Sequence, residues 1–243
     1  MAVRATTSRL HSTGFTLIEL LVAIGVMALM AGLTWRGIDG IARTQERVQA
    51  RADKILTLQA GLAQWTSDLD AIQQIPGFDG IDWDGRALRL TRHTSADLGA
   101  GLIVVAWARR DIAGTGHWIR WQSPAVTSRE QMQAAWARAA QWGQNPSEAD
   151  KRFEVVLTAL QEWRIFYYRG DTWSNPLSSD TGVPPPPPPS NAAPGTNPAA
   201  LPALAGATVP DGIRVVLTLP RDGPVAGTLT RDWIRPNLGG GKS

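Results

Sequence analysis

The chain has 243 residues and no cysteine. Disulfide staples and Cys metal sites are excluded, so stability must come from a packed core. Histidine is scarce. His11, His93 and His117 stand alone, outside any H-E-x-x-H or H-x-x-E-H arrangement. A transition-metal site is not expected from that pattern. Ser123 and Ser128 lack a G-x-S-x-G context, and no histidine is placed by sequence to activate them. Gly240-Gly241-Lys242-Ser243 looks like the end of a phosphate loop. That motif needs a glycine where Pro236 stands and a helix after the serine. Asp79, Asp82, Asp84 and Gly85 miss the register of a calcium loop and read as a turn with solvated acids. No catalytic residue, metal or cofactor is expected, and an enzyme is not the expected class.

A second long apolar run is also missing. The single one extends from Phe15 to Trp35, and its only charge is Glu19. About 20 mostly apolar residues suffice to span a bilayer. An ionisable group inside such a span costs roughly 2.5–3.5 kcal/mol on insertion scales, so it calls for a partner. Ahead of the run, residues 1–14 carry Arg4, Arg9 and His11 and no acid. The positive-inside bias keeps that end cytoplasmic and sends the rest across the membrane. The net charge is +3, and losing Arg4 and Arg9 would leave +1. Nucleic acid is therefore not an expected partner.

A secretory signal would place small residues after the apolar core. Here Gly14 lies before it. The run Gly14-Phe15-Thr16-Leu17-Ile18-Glu19-Leu20-Leu21-Val22 resembles the type IV prepilin leader, shared by type IV pilins and type II secretion pseudopilins. The resemblance implies cleavage after Gly14 by a prepilin peptidase and N-methylation of the new N-terminal Phe15. It also implies pairing of Glu19 with the Phe15 ammonium of a neighbouring subunit. Pairing between staggered subunits offsets the cost of both charges in lipid.

The helix should continue beyond the membrane. Ile55, Leu58, Leu62, Trp65, Leu69 and Ile72 alternate three and four apart, with Ile41 and Val48 extending the series backward. Pro76-Gly77 is expected to end it, for a helix of roughly 90 Å. Gly37, Gly40 and Gly61 weaken it locally, with a bend expected near 37–40. Strand patterns follow at Ala87–Leu90 (after an Asp84-Gly85 turn), Leu102–Ala108, His117–Trp121, Trp163–Arg169, Ile213–Leu219 and Thr228–Ile234. Arg129–Trp142 reads as a helix stopped by Gly143. Of eleven tryptophans, nine lie at or after Trp83, and core and strand-face packing is their expected role. The fold class is α+β, a long N-terminal helix packed on an antiparallel β domain of the pilin kind.

The expected organisation is a leader over 1–14, a transmembrane part over 15–35 and an amphipathic periplasmic part over 36–75. A β-rich domain over 76–238 follows, with a tail over 239–243. An insertion over 174–207 contains the six prolines Pro184–Pro189 and cannot build a core.

Downstream motifs narrow the family. Leu102–Trp107 followed by Trp118-Ile119-Arg120-Trp121 is similar to the paired strands of the J-type minor pseudopilin. So are Glu162-Trp163-Arg164, Tyr167 and Gly170-Asp171-Thr172-Trp173, and then Val209-Pro210-Asp211-Gly212-Ile213-Arg214-Val215. The proline-rich insertion departs from that pattern. The length disfavours the shorter major and I-type pseudopilins, and Glu19 disfavours the K-type. The resemblance implies a subunit at or near the tip of a type II secretion pseudopilus, helping to initiate it. Its partners would be the I-type, K-type and H-type minor pseudopilins, the major pseudopilin, prepilin peptidase and the inner membrane. The rival is a W-type minor type IV pilin for pilus assembly, adhesion or DNA uptake. As a DNA-binding module it would present Arg109, Arg110, Arg120 and Trp121 as a basic, aromatic surface.

Overall fold

The computed structural model describes residues 15–94, 101–178 and 209–236. Gly14, most of the proline-rich insertion and the 239–243 tail lie outside the described residues. The chain divides into two compact units, Met1–Ala52 and Asp53–Ser243.

The first unit holds most of one helix, α1, whose full range is Leu17–Asp70. Its hydrogen bonding is continuous through Gly37 and Gly40. Thr16 and Glu19 start it with a reciprocal capping box. The Glu19 amide donates to Thr16 Oγ1 at 3.3 Å, and the Thr16 amide donates to Glu19 Oε2 at 3.0 Å. Nearly every side chain from Phe15 to Arg51 is exposed, including Ile41 at 69% and Val48 at 62%.

The second unit begins with Asp53–Asp70, the last turns of α1. The helix stops at Asp70 rather than near Ile75. The reason is a competing sheet edge. The Gln73 amide donates to Thr91 O at 2.8 Å, and Ile72 bridges Arg92. Residues 71–73 therefore leave the helix before Pro76 is reached.

Among the described residues, nine strands follow in two antiparallel sheets. The first runs β1(Ile81–Trp83), β2(Ala87–His93), β3(Leu102–Ile112), β4(Thr115–Gln122) and β5(Glu154–Ala159), in that spatial order. The second has the order β7(Thr172–Ser174), β6(Glu162–Arg169), β8(Gly212–Leu219), β9(Gly227–Ile234). All the strands read from alternation are present, and β3 pairs with β4 as expected, Trp107 facing Arg120. The Asp84-Gly85 turn also forms. Gly85 has φ +90°, and Asp84 Oδ1 accepts from the amides of Arg86 and Ala87.

Period-two alternation explains the near-continuous apolar run of β3. Ile103, Val105 and Trp107 join the core formed with Leu58, Trp65 and Leu69 of α1 and with Ile213, Val215 and Leu217 of β8. Val104, Ala106 and Ala108 face the other way, onto α2(Arg129–Gln144) and its Met132, Ala139 and Trp142. Each fully buried Val, Leu, Ile or Met among them contributes about 1.5–3 kcal/mol.

Gly143, read as a helix stop, and Gly61, read as a weak point, are both close approaches. Gly143 lies inside α2 and does not end it; a Cβ there would stand 2.7 Å from Ala87 Cβ. At Gly61 of α1 a Cβ would meet Leu157 at 3.2 Å and Trp118 at 3.3 Å. The missing side chains let each helix settle onto its sheet.

Candidate functional site

The residues marked by the leader open the helix. Phe15 is 85% exposed. Glu19 is exposed, and its Oε2 also accepts from Thr16 Oγ1 at 2.9 Å. An 18-residue window of the helix has mean hydropathy 2.3, with none of it buried. By length and composition this is a helix able to cross a membrane. The apolar stretch to Trp35 presents its one carboxylate, Glu19, beside the helix N-terminus, where the helix dipole favours negative charge. Phe15 and Glu19 thus lie within one turn at the helix start, and Gly14 falls outside the described residues.

The second unit contains a charged site that composition and spacing did not reveal. Asp68 is completely buried on the inward stripe of α1. Its Oδ1 accepts from Gln64 Nε2 at 2.8 Å, Arg92 Nη1 at 2.5 Å and Arg120 Nη2 at 2.9 Å. Its Oδ2 accepts from Arg120 Nε at 2.7 Å and Trp107 Nε1 at 2.9 Å. Five donors from α1, β2, β3 and β4 converge on one carboxylate. Desolvating it costs several kcal/mol, which close ion pairs and saturated hydrogen bonding offset. Arg120 also lies 5.9 Å from the Trp107 ring centroid. Around the site, Trp65 meets Trp107 edge-on at 5.3 Å, and Trp107 meets Trp118 at 4.6 Å. The one sequence signal was an acid three residues after Trp65, on the face that carries Leu58 and Leu69.

This network has a functional consequence. The basic, aromatic surface expected of a DNA-binding rival does not form from its four residues. Arg120 is consumed by Asp68, and Trp121 is fully buried on the opposite face, stacked on Trp142. Arg109 pairs with Asp111 and donates to Leu160 O, while Arg110 pairs with Glu154. Strand alternation separates adjacent residues onto opposite faces, so the cluster in sequence is not a cluster in space.

The other candidates have structural partners. Asp82 pairs with Arg89, Ser128 caps α2 through the Gln131 amide, and Ser123 Oγ accepts from the Val104 amide. His117 Nδ1 sits 2.9 Å from Thr115 O. Among the described residues no group of three or more His, Asp or Glu side chains could hold a metal ion.

Against this geometry, residues 9–35 match the prokaryotic N-terminal methylation motif. The match covers Gly14, Phe15 and Glu19 and the apolar stretch to Trp35. The chain carries a type IV prepilin-like leader on a membrane-capable helix, followed by an α+β domain.

Proposed function

We propose that the protein is a minor pseudopilin, most like the J-type, at or near the tip of a type II secretion pseudopilus. The observation that carries this reading is the prepilin-like leader joined to a helix whose apolar side chains find no cover in the first unit. A prepilin peptidase cuts the Gly14–Phe15 bond, and the freed Phe15 amine is methylated. The protein is then held in the inner membrane by one helix, with its N-terminus cytoplasmic and its β-rich domain periplasmic. During assembly Glu19 exchanges its contacts with Thr16 for the Phe15 ammonium of a neighbour, so two buried charges cancel. The exposed strip containing Ile41 and Val48 receives the helices of the I-type and K-type partners. The order of the downstream motifs supports the J-type: two of them fall on the β3–β4 and β6–β7 hairpins, and the third leads into β8.

Two measurements test it. Mass spectrometry of the protein recovered from membranes should find a methylated Phe15 at the N-terminus, and Gly14→Val should leave the leader attached. The processed full chain should co-purify with I-type and K-type pseudopilins. Retention of neither, together with DNA affinity that falls steeply with salt, would assign it to the type IV pilus instead.

A further inference from the structure

The exposed surface of α1 in the first unit is not uniform. Gly37, Ile41, Thr44 and Val48 alternate four and three apart and line one shallow groove of about 560 Å³. Ile41 and Val48 are largely exposed in it. Thr44 turns its hydroxyl back onto the helix, donating to Gly40 O at 2.8 Å, so that polar group is satisfied internally. A Cβ at Gly37 or Gly40 would meet nothing within 4 Å, which leaves room for another backbone to come close. The next position in the series is Arg51.

The two flanks of the groove differ in charge. Arg47 borders it on the side of Gly40, whereas the other side carries the uncharged Ile38, Gln45 and Ala52. Arg43 and Arg51 stand one turn before and one turn after Arg47, and like charges at that spacing repel. Asp39 pairs with Arg43 at 2.9 Å. No acid lies three or four positions from Arg47, and among the described residues it has no ion-pair partner. An arginine repelled from both sides, at the border of an apolar groove, is placed to meet a carboxylate on whatever fills that groove. Lipid phosphates are badly placed for this role. Arg47 lies 12 residues past Trp35, roughly 18 Å along the helix at 1.5 Å per residue, against a Debye length of about 8 Å.

A second copy of the chain does not fit either. Two copies anchored in the same sense run parallel. That pairing sets Arg51 against Arg51 in the seam and Arg47 against the neutral flank at Ala52. A layer of like charges disfavours the pairing. We infer that the groove receives a parallel helix of a different chain, one that carries Asp or Glu level with Arg47 and Arg51. The inference rests on the pseudopilus reading, which brings partner helices to this strip, and adds the chemistry of the partner: apolar along the seam and acidic at one level.

Reversing both charges, Arg47→Glu with Arg51→Glu, should lower the co-purification of the I-type or the K-type pseudopilin with the full chain in detergent by roughly tenfold or more. The melting temperature should not move, since both side chains are exposed. The absence of cysteine supplies a second readout that needs no partner. In the chain alone, Val48→Cys should form intermolecular disulfide slowly. Adding Arg51→Leu should speed it several-fold, because facing seam positions come within disulfide range once the like charges are gone. Equal disulfide rates with and without Arg51→Leu, or retention of both partners unchanged by the double reversal, would overturn the inference alone. Retention of neither partner by the unaltered chain would overturn the pseudopilus reading and the inference with it.

Discussion

The same helical repeat behaves in opposite ways in the two units. Ile41 and Val48 continue the series that includes Leu58, Trp65 and Leu69, yet the first two are exposed and the last three are buried. In the second unit, two sheets supply the cover. In the first, no described residue of that unit covers the stripe, which is what a helix awaiting lipid or another helix would show. An apolar stripe therefore declares that something will be buried, and only the neighbouring elements decide whether the partner is internal.

The sharpest way to break that contrast is at Asp68, where the second unit binds its stretch of helix. Asp68→Ala leaves Arg92 and Arg120 buried without their counter-charge and should cost about 3–5 kcal/mol. Chemical denaturation of the full chain in detergent would read this as a large drop in midpoint. Asp68→Asn keeps the shape but not the charge and should be destabilising as well. A smaller loss, about 1–3 kcal/mol from overpacking, is expected for Gly61→Val, because Leu157 and Trp118 already stand at 3.2 and 3.3 Å from the first added carbon. The same method measures it.

Acid should produce a milder effect. Burial raises the Asp150 carboxyl, but hydrogen bonds from Ser147 and the Arg138 guanidinium outweigh it and hold the pKa below the ordinary 3.8. Hydrogen bonding to Arg214 lowers Asp232 likewise, against a smaller opposing effect of burial. A folded pKa below the unfolded one means stability fully present above pH 3.8 and lost as pH falls through the lower folded values. Melting temperature should therefore be steady from neutral pH down to that point and then fall. In the Arg214→Ala chain the part of the fall that belongs to Asp232 should shrink. The smallest stability effect belongs to the first unit. Ile41→Ala with Val48→Ala should change the denaturation midpoint by no more than about 0.5 kcal/mol equivalent, while co-purification with the proposed partners is lost. A large loss of stability there would show that the strip is covered from within the chain after all.

Much of the second unit was legible from alternation. Ile213, Val215, Leu217 and Leu219 share the buried face of β8 as their spacing demands. β1 and β7 escaped because three residues cannot display a period. β5 escaped because Val155-Val156-Leu157 looks like a continuous run and its bulge breaks the repeat. The division into two sheets was also hidden, since alternation marks a buried face without naming the sheet it belongs to. For the sites, Glu19 was visible because a charge inside an apolar run is conspicuous locally. Asp68 was not, because nothing near it in sequence reveals Arg92 and Arg120, which arrive from strands 24 and 52 residues away.

The sequence alone determined the prepilin-like start, the membrane-capable helix and the α+β class. These rest on local periodicity and on one charge out of place, and both survive without any knowledge of tertiary contacts. Only the tertiary structure decided that Gly61 and Gly143 are contact points, that the helix yields to a sheet edge at Asp70, and that Arg120 and Trp121 face apart into two cores. Those outcomes depend on which groups compete for the same backbone amide, the same carboxylate or the same few cubic ångströms, and that competition is settled only when distant segments meet.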